Sequence, residues 1–410
     1  MRVRQCLAGL SFLGLTLIVF VNVPASNQES PAAFASIRDG ATFSAAIDLN
    51  GDWQFKATDE TEWLKAQVPG VVQSDLLRVG RLKDPYYRDQ ELQAQWVENK
   101  EWEYRRSFSV DSGFLKHDRI LLDARGLDTI VEVFVNQTLV AKTKNMFVEY
   151  EWDIKSLLRV GKNEIHVVFR SIINWNKQQR QGDPKVIWCN DSELMDCRKG
   201  NLFFARKEAS DFGWDWGLRL LSSGIWRPIR VAAYDTARIT ELAIRQDLSD
   251  PARAILNLAT KVDRFDSRAL QLDLDVTLAG RRIASDRLNV TSNELNSALA
   301  IPQPRLWWPN GWGEHPLYEV TARLTSGGRE VHRQSHRVGL RTLRIIREKD
   351  ARGESFAIEV NGKTLFAKGT NWIPADALPD RLTEAPLPPS PRRLRQTEHE
   401  YDPHLGRRAL

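Results

Sequence analysis

Apolar and polar positions alternate in short runs along most of the chain. The run Trp102-Glu103-Tyr104-Arg105-Arg106-Ser107-Phe108-Ser109-Val110 alternates, as does Ile130 to Val135, and Ile165-His166-Val167-Val168-Phe169 follows a turn at Gly161-Lys162-Asn163. Runs this short, separated by turn residues, predict a β-sandwich, with no long helix. Near Tyr234 to Ala237 the aromatic density falls and a second alternating set begins, including Leu256-Asn257-Leu258, Leu272 to Leu278 and Tyr318 to Leu324. Its length and rhythm fit an immunoglobulin-like sandwich without the antibody cysteine pair. A third stretch has alternating runs on either side of Asn361-Gly362, the strongest short-range hairpin signal, and continues to Trp372 and Asp376.

The two ends break the pattern. Arg2 and Arg4 precede an apolar run from Leu7 to Val23, then Val23-Pro24-Ala25 and polar Ser26. This reads as a secretory signal over residues 1–25, cleaved near Ala25, so a secreted or periplasmic protein is expected. An uncleaved anchor is the alternative, at about the lower length limit for spanning; after cleavage no stable membrane span is expected. Residues 26–44 read as a linker. From Glu384 to Leu410, prolines and arginines crowd together without apolar periodicity, and disorder is expected.

Composition narrows the chemistry. Of 410 residues, 14 are Trp against 3 Met and 7 His, a bias toward flat aromatic platforms. The net charge of +5 is dispersed, so nucleic acid is not expected as a partner. Cys189 and Cys197 are the thiols outside the signal; in an oxidising compartment they either close a small disulfide loop or stay free. No cofactor and no metal site is expected.

The candidate chemistry centres on Asp211-Phe212-Gly213-Trp214-Asp215-Trp216-Gly217. Two glycines allow a tight turn, and two indoles flank one carboxylate. Such a group suits a pyranose, whose C–H faces stack on aromatics and whose hydroxyls donate to carboxylates. The other reading makes Trp214 and Trp216 core indoles and Asp215 a turn cap.

Several separated stretches together resemble the β-mannosidases of glycoside hydrolase family 2. They are Leu49-Asn50-Gly51-Asp52-Trp53, Val68-Pro69-Gly70, Gly126-Leu127-Asp128-Thr129, Asn145-Met146-Phe147, the 212–217 stretch, Gly224-Ile225-Trp226-Arg227-Pro228, Trp307-Trp308-Pro309-Asn310-Gly311 and Gly369 to Asp376. Leu218 and Gln137 depart from the family, which often has Pro and Gly there. The resemblance covers about residues 45–383 and implies an all-β arrangement for the foldable part. A jelly-roll (galactose-binding-like) sandwich at 45–235 is followed by an immunoglobulin-like sandwich at 236–343. The first hairpin or strand of an incomplete (β/α)8 barrel follows at 344–383.

It further implies that Trp214, Asp215 and Trp372 bind substrate, a β-mannoside or manno-oligosaccharide, while Trp307 and Trp308 read mainly as core. Retaining hydrolysis of terminal β-D-mannose needs two carboxyl groups roughly 5 Å apart. The family's two are glutamates on late barrel strands, without counterparts here, and Glu208, Asp211 and Asp215 match neither. No catalytic residue is therefore expected in the chain. Two readings follow: the front portion of a β-mannosidase, inactive alone, or a non-catalytic secreted carbohydrate-binding module. The tail fits the first as frameshifted barrel sequence. Back-translated and read one nucleotide later, residues 398–410 can spell NMNMIRIWGGGL, close to the family's next strand.

Overall fold

A computed structural model describes residues 42–182, 204–369, 371 and 373–382. The expectations on the signal at 1–25, the Cys189/Cys197 pair, Trp372 and the tail at 384–410 lie outside the described residues. Every strand pairing among the described residues is antiparallel.

The first sandwich is built from β1 (Ala45–Asp48), β2 (Gly51–Ala57), β3 (Leu64–Val68), β4 (Trp102–Val110), β5 (Arg119–Ala124), β6 (Val131–Val135), β7 (Thr138–Thr143), β8 (Tyr150–Asp153), β9 (Gly161–Phe169) and β10 (Ile229–Tyr234). Six of them form a sheet in the order β3-β2-β4-β9-β6-β7, and the other four pair as β1-β10-β5-β8. Alternation decides the inward face. Phe55, Tyr104 and Phe169 are buried, with Tyr104 centred 5.5 Å from both neighbouring rings. Aromatic contacts of this kind add about 0.5–1.5 kcal/mol beyond area burial.

Among the described residues three helices interrupt this sheet pattern: α1 (Val72–Arg78), α2 (Gln90–Ala94) and α3 (Ile172–Gly182). With 11 residues α3 has only average helix length, a short helix that the alternation did not announce. Its apolar residues sit at the start, where Ile172 and Ile173 pack with Ile130, Phe212 and Leu221, and a polar run follows. The periodicity was therefore too short to register. Its start is marked by the Ser171 hydroxyl, which accepts from the Asn174 N–H at 3.3 Å. The predicted turn at Gly161-Lys162-Asn163 is instead the first part of β9, paired with Phe108 to Val110 on β4.

Across Thr236 the chain enters the second sandwich. Its strands are β11 (Ala237–Asp250), β12 (Arg253–Arg264), β13 (Gln271–Leu278), β14 (Arg281–Asn289), β15 (Glu294–Pro302), β16 (Tyr318–Ser326) and β17 (Arg329–Val338). They form a three-stranded sheet, β11-β12-β15, facing a four-stranded one, β14-β13-β16-β17, the strand count of an immunoglobulin constant-type sandwich. Leu256, Leu272, Val276, Val320 and Leu324 fill the space between. Trp307 and Trp308 are half-buried beside it; Gly339 lies under the Trp307 ring and Gly313 under Trp308.

The Asn361-Gly362 hairpin forms as expected. Val360 pairs with Lys363 across it, and both turn residues have positive φ, 50° and 75°, as a type I′ turn requires. It joins β19 (Ala357–Val360) to β20 (Lys363–Leu365), with β18 (Leu343–Ile346) on the other side of β19. The second strand stops at Leu365, well before Trp372. β20 is an edge strand, and Phe366 beyond it is exposed. No barrel closes among the described residues.

Candidate functional site

Three of the quoted sequence stretches converge on residues 221–226, which run into a fourth. Gly70 donates its N–H to Ile225 O at 2.9 Å, and Val72 donates to Ser223 O at 2.7 Å. On the other side Asp128 and Gly224 exchange both backbone hydrogen bonds, at 2.9 and 3.0 Å. Trp226 Nε1–H donates to Met146 O at 3.2 Å. Gly224 is where the backbones crowd: a Cβ there would lie 2.4 Å from Gly70 O and 2.7 Å from Val71 Cα. Gly224→Ala is therefore expected to destabilise by about 1–3 kcal/mol, the cost of overpacking against backbone that cannot rotate away. Denaturant unfolding checks it, and a midpoint equal to wild type would contradict the close approach.

Beneath this segment lies a buried ionic cluster. The Lys207 ammonium donates to Asp128 Oδ1 at 2.9 Å and Oδ2 at 2.7 Å, and to Ser222 O at 2.9 Å. It also pairs with Asp211 Oδ2 at 2.8 Å. Ser222 Oγ lies 2.7 Å from Asp128 Oδ2 and 2.8 Å from Asp211 Oδ2, so its single proton serves one carboxylate at a time. Burial acts to pull the Lys207 pKa down, yet the two carboxylates outweigh it and the net shift is upward. Burial raises Asp211 despite the neighbouring ammonium. One cation facing two carboxylates leaves an excess negative charge, and a raised Asp211 is the physical consequence. Met146 and Lys144 deliver the lysine here: Met146 N–H donates to Arg206 O at 2.9 Å and Arg206 N–H to Lys144 O at 3.0 Å.

From Asp211 the chain passes Phe212, buried in the small core beside α3, and reaches Gly213 at φ 100°. A side chain at 213 would meet Arg219 Cβ at 3.2 Å, so both the left-handed backbone and the space favour glycine. Gly217, the other turn glycine, has neither constraint. Trp214 and Gly217 then exchange backbone hydrogen bonds at 3.4 Å, closing a finger of four residues. The rings of Trp214 and Trp216 are centred 6.1 Å apart at 38°, and the residues are 38% and 39% exposed. Neither belongs to a core. Asp215 between them is exposed, and its carboxylate accepts no hydrogen bond among the described residues.

Past the finger, Arg219 anchors its far side. Its N–H donates to Glu91 Oε1 at 2.6 Å and its guanidinium bonds Glu98. Burial raises the Glu98 pKa, against the lowering effect of Arg219. The finger thus stands between two ionic anchors, with both indoles part-exposed and the Asp215 carboxylate exposed. Of the other carboxylates named from the sequence, Asp211 is tied to Lys207, and Glu208 accepts from the Ser210 hydroxyl at 3.2 Å. Lys207, Asp128, Ser222, Glu91 and Glu98 were not singled out as site residues from the sequence. Only Asp128 carried a signal, as part of Gly126-Leu127-Asp128-Thr129. Among the described residues no group of side chains is arranged to hold a metal ion.

Comparison with known proteins sets this architecture in context. Residues 53–227 match the family described as glycosyl hydrolase 2 galactose-binding domain-like, and residues 237–341 match glycosyl hydrolases family 2. Beta-mannosidase B of Aspergillus niger is 33% identical over 345 residues, which are 82% of this chain and 40% of that protein. Beta-mannosidase B of Aspergillus terreus is 33% identical over 338 residues, 80% of this chain and 38% of that protein. The crystal structure of Beta-D-Mannosidase from Dictyoglomus thermophilum superimposes with a TM-score of 0.78 at 33% identity, covering 83% of this chain and 41% of its own. The exo-chitosanase CsxA of Amycolatopsis orientalis, at 20% identity and a TM-score of 0.59, shares the fold. The chain spans about 40% of the length of the relatives it matches. It belongs to glycoside hydrolase family 2, whose galactose-binding-like and immunoglobulin-like domains it carries, and it resembles the N-terminal portion of the family's β-mannosidases.

Proposed function

We propose that this chain supplies the non-catalytic wall of a β-mannosidase site, with Trp214 and Asp215 meeting a terminal β-D-mannose unit. The observation that carries this reading is the finger at 214–217, two part-exposed indoles flanking an uncommitted carboxylate between two ionic anchors. An indole face stacks on the C–H face of a pyranose, and a carboxylate accepts from two vicinal hydroxyls. Trp372 is proposed as a further wall of the same site, on the resemblance alone. The charged start and apolar run at residues 2–23 support export.

Retaining hydrolysis requires a proton donor and a nucleophile, both carboxyls. At the finger only Asp215 is exposed, because Asp128 and Asp211 are committed to Lys207. The hydrolytic pair is therefore assigned to the remaining length of the relatives. The alternative, an independent binding module, would need a second sugar site on the first sandwich. Grooves of about 530 Å³ beside Trp53 and about 450 Å³ beside Trp175 lie on it; in the second, Arg170 is paired with Glu101 and Glu132, and Lys142 with Glu132.

Mannobiose titration followed by tryptophan fluorescence tests this. Saturable quenching should be abolished by Trp214→Ala and weakened about tenfold by Asp215→Asn, a loss of about 1.4 kcal/mol for charged hydrogen bonds. Saturation unchanged in both variants would move the sugar off the finger and favour the module. An aryl β-mannoside should show no turnover above blank; turnover abolished by Asp215→Asn would overturn the non-catalytic assignment.

A further inference from the structure

The finger shares a support with a segment far from it in sequence. Residues 84–99 run through α2 and one 3-10 turn, and Ala94 and Val97 anchor them in the first core. The Trp102 indole N–H donates to Val97 O at 3.1 Å, and the Ser171 hydroxyl donates to Glu98 O at 2.6 Å. Glu91 on α2 and Glu98 on the 3-10 turn hold Arg219 at the base of the finger. Tyr86, on the earlier half, holds the chain at 376–377: its hydroxyl accepts from the Ala377 N–H at 2.7 Å and donates to Asp376 Oδ1 at 3.2 Å. The earlier half is itself ordered, with Tyr86 N–H bonded to Asp84 Oδ1 at 3.0 Å and Gln90 N–H to Tyr87 O at 3.2 Å.

The 376–381 segment is docked as firmly as the finger. Leu378 is fully buried in the first core, the Ser74 hydroxyl donates to Asp380 Oδ1 at 2.8 Å, and Arg381 Nε pairs with Asp376 Oδ2 at 2.8 Å. Residues 213–219 and 376–381 come from regions more than 150 positions apart, and residues 86–91 touch both. An element bonded at each end to a different arm constrains their separation, which a site built from both arms requires.

We propose that residues 86–91 are a positioning strap that couples the finger to the 376–381 segment, with Glu91 and Tyr86 as the positioning residues. The proposal rests on the sugar-binding reading of the finger for its purpose, but the coupling itself is measurable without any sugar. Hydrogen exchange of the full chain, read at the Arg219 and Ala377 amides, tests it. Tyr86→Phe removes the hydroxyl and keeps the ring. It should speed exchange at Ala377 about fivefold to tenfold, the effect of losing one hydrogen bond, and should also speed Arg219. Glu91→Ala should speed Arg219 and also Ala377, whereas Glu91→Gln keeps the acceptor oxygen and should leave both near wild type.

Changes confined to the mutated end, or an Ala377 amide indifferent to Tyr86→Phe, would overturn the strap. Equal loosening by Glu91→Gln and Glu91→Ala would overturn the role of the Glu91 acceptor. Tyr86 is half-exposed, so Tyr86→Phe carries the test even if Glu91→Ala fails to fold. If coupling is found while mannobiose binding ignores Trp214→Ala, the strap stands and the sugar reading falls.

Discussion

Lys207→Met should lower the stability of the first sandwich by about 3–5 kcal/mol, the usual loss when one partner of a buried ion pair is removed. The ammonium is almost wholly buried and neutralises Asp128 and Asp211 together. Without it two carboxylates face each other across Ser222 in a low-dielectric interior, with one hydroxyl proton between them. The deficit should shrink on acidification, because protonating the stranded carboxylates removes the charge. Adding Asp211→Asn to Lys207→Met should recover part of the loss, since the sites interact directly. Thermal unfolding measures this; a midpoint within about two degrees of wild type would mean the cluster is dispensable, since 1 kcal/mol corresponds to about 2–4 °C at this size.

Asp75 should impose a pH dependence of about 3 kcal/mol, in the direction opposite to that of a surface carboxylate in an ion pair. Its side chain is completely buried on α1, where it accepts from the Tyr104 hydroxyl at 2.6 Å and the Gln67 N–H at 2.9 Å and touches Arg78. Burial, the largest effect, raises its pKa from 3.8 to about 6, although both hydrogen bonds and Arg78 act the other way. Arg78 loses this contest because it is 46% exposed and water screens it. The folded state therefore prefers the protonated acid. The stabilisation is fully present below pH 3.8 and is lost as pH rises through about 6. Asp380, raised by burial in the same neighbourhood, adds to the trend, whereas carboxylates lowered by their partners, such as Glu132 beside Lys142 and Arg170, oppose it. Comparison with Asp75→Asn isolates the effect, since the amide keeps an acceptor for Tyr104 and carries no charge. The variant should gain on wild type between pH 4 and pH 7, and parallel stability curves would refute the assignment.

The folded strands were legible because their cause is local. A strand exposes alternate residues to opposite faces, so Trp102 to Val110 and Leu272 to Leu278 announce their pairing wherever they fall in the chain. The Asn361-Gly362 hairpin was legible for a similar reason, since two positive φ values can be read from two residues. The aromatic and acidic composition of the finger was also visible, whereas the exposure of both indoles was not. Helix α3 escaped because tertiary contact of Ile172 and Ile173 with Phe212 supplies what its polar sequence lacks.

What alternation and turn chemistry determined, then, is a chain of two β-sandwiches and a hairpin, with a tight turn that carries Trp214 and Asp215. Only the tertiary structure decided which charges meet. Lys207 finds Asp128 across 79 positions, and Tyr86 finds Ala377 across 291. Neither pairing has a periodic signal, because desolvation and Coulomb energy depend on separation in space and on exclusion of water, and both are fixed only when the sheets close.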